Sequence, residues 1–139
     1  MSLSDEIVKN LDKSHDRLVK VYETLDPENY TKSYQEIWKI RAEIEYIVIS
    51  IKLLNNLNTQ SIGKKWKEEF SETLKQVKAE RKIRAVFLET IELFQKLENI
   101  EDIISFYKIC WMLKEKLTIL LNVVKPKIKI EKRDGKKNQ

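Results

Sequence analysis

Side chains suited to covalent chemistry are scarce in this chain of 139 residues, which has one histidine, His15, and one cysteine, Cys110. Nucleophilic catalysis needs a base within hydrogen-bond reach of a Ser or Cys. His15 falls on a short charged segment and Cys110 in a late apolar stripe, so the two are not expected to meet. Asp12-x-x-His15 has the spacing of half a bundle di-iron site, but such a site takes a second histidine from another helix, and there is none. The small helical ribonuclease pattern, Arg followed within a few residues by His, is also missing, because the first arginine, Arg17, comes after His15. Single Cys and His residues allow neither a disulfide framework nor an ordinary zinc site. Carboxylates at helical spacing (Glu68, Glu69 and Glu72; Glu89 and Glu92) alternate with lysines. They read as solvated faces, whereas catalytic acid pairs need partial burial to separate their pKa values. Two glycines leave no Gly-rich phosphate loop or dinucleotide fingerprint. The expectation is a protein that is not an enzyme, with no catalytic residue, cofactor or metal.

What remains is binding chemistry. The net charge of +5 is uneven: residues 125–139 hold seven basic and two acidic side chains, which accounts for the whole excess. Those basic groups are Lys125, Lys127, Lys129, Lys132, Arg133, Lys136 and Lys137. Within the otherwise neutral body, residues 64–84 carry eight basic and four acidic groups. Trp66 sits there beside Lys64, Lys65 and Lys67, and continues a stripe with Phe70 and Leu74. It reads as core, or as a contact for a protein partner or nucleic acid. Lys78, Arg81, Lys82 and Arg84 form the basic patch proper, read either as an exposed helix with Glu–Lys pairs or as a phosphate or subunit contact.

Helices must position these groups. With 42% hydrophobic and 35% charged residues and only two prolines, the chain reads as one all-α domain, an elongated four- to five-helix bundle over residues 1–124. A flexible basic tail is expected over 125–139. The first helix should start at Ser4 as N-cap, with Asp5 and Glu6 in its first turn. Ile7, Leu11, Leu18, Tyr22 and Leu25 form its stripe. A second helix is expected from Pro27 to Asn55, with Tyr30, Tyr34, Ile37, Trp38, Ile44, Ile47, Val48, Ile51 and Leu54 on its buried face. A third stretch runs from Lys64 to Leu97, as one long helix or two. The fourth, capped by Asn99 with Asp102, runs to Val124 and reads as the most buried, with Pro126 as its stop. Lys127-Ile128-Lys129-Ile130-Glu131-Lys132 alternates at period two, like a strand that could add to a partner's sheet edge. The N-terminus lacks a basic and apolar leader, no apolar run approaches the ~20 residues of a membrane span, and the lone Cys suits a reducing compartment. A cytoplasmic protein is expected.

The run Leu25-Asp26-Pro27-Glu28-Asn29-Tyr30, then Glu36-Ile37, Arg41 and Glu43-Ile44-Glu45, resembles the opening of the second helix in archaeal GINS subunits. Glu80-Arg81-Lys82-Ile83-Arg84 is similar to the cluster preceding that family's last helices, and the resemblance spans residues 15–124. It implies a non-catalytic scaffold that joins the MCM helicase to other replication factors. GINS subunits also carry a small β domain, whereas fifteen residues follow the fourth helix here, with Lys127–Lys132 where a linker would begin. The functional expectation is therefore a GINS-like helical adaptor of a nucleic-acid-processing assembly, with protein partners in a hetero- or homo-oligomer. The alternative is a small basic helical protein that binds nucleic acid directly through its tail and the 64–84 patch.

Overall fold

A computed structural model of the chain describes residues 3–58, 62–63, 65–68, 70 and 83–137, with side chains at 126 and 129–137 excepted. Among the described residues there are four bounded helices and no strand: α1 (Asp5–Glu23), α2 (Tyr30–Leu54), α3 (Ile83–Leu97) and α4 (Ile103–Lys137). They pack in a closed cycle, α1 on α2, α2 on α4, α4 on α3 and α3 on α1. The all-α bundle expected from the apolar periodicity is the observed fold. Whether residues 64–97 form one helix or two turns on positions 71–82, which lie outside the described residues.

Local chemistry sets the helix ends. Ser4 Oγ accepts from the Ile7 amide at 3.2 Å, and Asp5 and Glu6 occupy the first turn of α1, where the helix dipole favours acids. Ser4→Ala removes that bond and is expected to lower stability by about 1 kcal/mol, read as a fall in the urea midpoint. The second helix starts at Tyr30 rather than Pro27. Asp26 folds the intervening residues into a turn, its Oδ1 accepting from the Glu28 amide and its carbonyl from the Asn29 amide, both at 2.9 Å. At the other end of α2 the Leu57 amide donates to the Lys52 carbonyl and the Asn56 amide to the Leu53 carbonyl, with Asn56 at φ 50°. That is a Schellman motif with Asn in the left-handed position. Asp102, not Asn99, caps α4: its carboxylate accepts from both the amide and the hydroxyl of Ser105, which holds the Asp102 pKa below the usual carboxylate value.

The helix α4 is the spine. Phe106, Tyr107, Cys110, Trp111, Leu113, Leu117, Leu120, Leu121, Val123 and Val124 are all buried. At 35 residues it is roughly 52 Å long, against roughly 38 Å for α2. It does not stop at Pro126, and the expected flexible tail, unfolded or adding as a strand to a partner's sheet, is corrected to helix through Lys137. The physical reason is that Ile128 follows Val124 by four residues and packs against the core, so the alternating Lys-Ile run also satisfies the helical stripe. Pro126 leaves one carbonyl without its intrahelical donor, that of Asn122. Asn122 is exposed, so water can serve that carbonyl.

Two residues expected on the buried face of α2 are exposed. Trp38 is 48% and Leu54 60% exposed, while Ile37, Ile40, Ile44, Ile47 and Ile51 are fully buried. Five isoleucines at helical spacing already fill the face that meets α1 and α4, and Trp38 lies about 100° round the helix from Ile37.

Candidate functional site

Four aromatic residues gather where the chain around Trp66 crosses α4. Trp66, half-buried, meets Trp111 edge-on with ring centroids 4.9 Å apart at 76°, and meets Tyr107 at 6.3 Å. Phe70 packs on the other side of Trp111 at 5.5 Å. Three lysines stand over these rings. The Lys67 ammonium is 5.8 Å from the Trp66 centroid and 5.5 Å from that of Trp111. Lys108 lies over Trp66 at 5.7 Å and Lys114 over Trp111 at 5.5 Å. Such contacts hold an ammonium in place, each for about 0.5–1 kcal/mol when exposed. Burial pushes the Lys67 pKa below its ordinary value, and the neighbouring charges of Lys52 and Lys114 push the same way against Glu115. The lysines cover the indole faces, so the cluster presents cations rather than stacking platforms.

This arrangement bears on the expected contact residues one by one. Trp66 takes its place in the aromatic cluster. Arg84 lies elsewhere, exposed on α3 with its guanidinium 5.5 Å from the Tyr22 ring of α1. Lys78, Arg81 and Lys82 lie outside the described residues. Lys125 and Lys127 are exposed on α4. Lys129, Lys132, Arg133, Lys136 and Lys137 fall on its last turns, and their side chains are outside the described set. Sequence reasoning missed Lys108 and Lys114. The signal was available in Lys108-x-x-Trp111-x-x-Lys114, because residues three apart are neighbours on a helix surface.

A second feature runs along α2. Trp38, Tyr46, Ile49 and Leu53 are 48%, 63%, 52% and 71% exposed. At 100° per residue they fall within about 80° of one another and extend roughly 22 Å along the helix. One flank of this stripe is tied to α4: Arg41 Nε donates to Thr118 Oγ1 at 2.7 Å, its guanidinium lies 5.5 Å from the Trp38 ring, and it pairs with Glu45 at 3.2 Å. Lys52, on the same flank, is the α2 residue whose charge reaches Lys67.

The residues considered for catalysis are dispersed. His15 stacks flat on Phe94 of α3, centroids 5.1 Å apart at 4°. It lines a cleft of about 240 Å³ with Asp12, Leu97 and Glu98, smaller than the ~300–1,000 Å³ usual for ligand pockets. Cys110 is fully buried in α4, and burial pushes its thiol up to about 12. Glu89, expected on a solvated face, is half-buried and pairs with Lys116 at 3.0 Å, fastening α3 to α4. Glu92 and Glu68 are exposed, and Glu69 and Glu72 lie outside the described residues. Among the described residues no three His, Cys, Asp or Glu side chains gather as a metal-ligand set, and no helix is long and apolar enough to cross a membrane. Compared with family models, with curated proteins and with solved structures, the chain matches none of them.

Proposed function

We propose that this protein is a non-catalytic helical adaptor that works by protein–protein contact. The observation that carries the reading is the exposed stripe on α2, where four large apolar side chains share one helix face. Singly exposed apolar residues are ordinary, but several large ones on one helix face mark an interaction surface. The row includes Trp and Tyr, which are enriched where binding energy concentrates. The replication setting, with GINS-like and MCM-type partners in an archaeal cytoplasm, rests on the resemblance of residues 25–45 and 80–84 and on the lone cysteine.

The test is a pull-down from extract of the source cells with tagged protein, quantified by mass spectrometry. Wild type should retain a stoichiometric protein partner, and Ile49→Glu should lose it by at least about tenfold, which is the factor for 1.4 kcal/mol. Its urea midpoint should not move, because Ile49 is 52% exposed. A monodisperse monomer that retains nothing overturns the reading. Direct nucleic-acid binding is the second reading, favoured by the exposed Lys125 and Lys127 in the C-terminal half of α4. It predicts an affinity for oligonucleotides whose logarithm falls linearly with log salt, and which neutralising those two lysines weakens.

A further inference from the structure

We infer that the surface where α2 meets α4 docks an acidic amphipathic helix of a partner protein. The inference rests on the adaptor reading and names the chemistry of the partner. The apolar half of the site is the stripe Trp38, Tyr46, Ile49 and Leu53. Its roughly 22 Å length matches about four turns of a partner helix laid along it, with anchors at i, i+3, i+4 and i+7 spacing.

The polar half is the flank toward α4. Lys52 lies one residue before Leu53 and three after Ile49. Its charge acts on Lys67, which shares the Trp111 ring with Lys114. Lys67 and Lys114 stand over one ring of α4, and Lys114 lies one turn before Thr118, where Arg41 ties this flank of α2 to α4. Glu115, 3.6 Å from Lys114, balances only part of their charge. A carboxylate arriving there meets cations already held in position. The cation–π contacts hold the lysines in position, which lowers the entropy lost when a partner binds.

Charge complementarity selects an acidic partner, and the adjoining apolar row selects a peptide over a nucleic acid. A phosphate backbone would use the lysines and leave the stripe bare. The indole faces of Trp66 and Trp111, which bases beside those lysines would need, are occupied by ammonium groups.

The experiment uses the full chain and a fluorescent synthetic peptide of about 18 residues, five helical turns, with Leu on one face and Glu along one edge. A permuted peptide of the same composition without an apolar face, and an oligothymidylate of the same length, serve as comparisons. The designed peptide should bind at least about tenfold more tightly than either, more weakly as salt rises. Ile49→Ser with Leu53→Ser should lose it. Lys52→Glu with Lys67→Glu should lose it too, and should gain the matching peptide edged with Lys. All four positions are exposed, so unchanged urea midpoints serve as the check on folding. Equal binding of the permuted peptide, or tighter binding of the oligothymidylate, overturns the inference. A concentration-dependent dimer that Ile49→Ser with Leu53→Ser dissolves also overturns it, because the occupant is then a second copy. If no peptide binds while the tagged protein still retains its partner, the adaptor reading stands and the acidic-helix assignment falls. If neither occurs, both fall.

Discussion

Leu117→Ala is expected to lower the unfolding free energy by about 2–5 kcal/mol, the cost of deleting three buried carbons and leaving their space. Leu117 lies midway along α4 with no exposed surface, in a column with Leu113, Leu120 and Val124, which are equally buried. Helix α4 is packed by α2 and by α3, so neither neighbour can close onto the vacated volume without leaving its other contact. Domains of this size are stable by roughly 5–15 kcal/mol, so the loss is a large share of the total. Urea unfolding should show a lower midpoint with an unchanged slope. Leu54→Ala is the matched comparison. Leu54 is 60% exposed at the end of α2, and its truncation should change stability by less than about 0.5 kcal/mol. Equal losses at the two sites would show that burial in the cycle of helices is not what holds the fold.

Cys110 should be nearly inert in the folded protein. The thiolate is the reactive species, and burial moves this thiol from an ordinary 9.0 to about 12. At pH 8 that shift cuts the thiolate fraction by roughly a thousandfold. Alkylation by iodoacetamide in buffer should therefore be at least about a thousandfold slower than in unfolding urea, and should proceed through opening of the bundle. Rapid labelling of native protein would place the thiol at the surface. The same shift links stability to pH. Below pH 9 the thiol is protonated in both states and the stability is complete. Between 9 and 12 the unfolded chain releases the proton and the folded chain keeps it, so stability falls, by about 1.4 kcal/mol per pH unit at most. Cys110→Ala lacks this term. The stability difference between wild type and Cys110→Ala should therefore shift against wild type between pH 8 and pH 10, measured by urea unfolding at each.

Much of the scaffold was legible in the residues. The N-cap at Ser4 and the buried column of α4 follow from side-chain type and spacing, because capping and helical periodicity are local. The errors have a common cause. Pro27 looked like a first helical residue, but Asp26 had a nearer use for its carboxylate in the turn to Glu28. Asn99 looked like a cap, but Asp102 is the residue bonded to Ser105. The Lys-Ile alternation after Pro126 fits a strand and a helix equally well until Ile128 is seen against the core.

The candidate site was far less legible. Trp66 was marked for its lysine neighbours in sequence, yet three of its four partners in the cluster, Tyr107, Lys108 and Trp111, come from α4, more than forty residues away. The stripe on α2 was hidden for a different reason. That helix is apolar on more than one side, so periodicity identifies a helix without saying which side faces water. The amino-acid sequence alone determined that this protein is an all-α bundle, poor in the residues of catalysis and rich in lysine, because helical period and composition are carried by each segment independently. Tertiary structure alone decided that Trp38, Tyr46, Ile49 and Leu53 face outward, with Lys52 exposed on their flank. Exposure depends on which neighbours claim a helix's other faces, and here α1 and α4 claimed the five isoleucines.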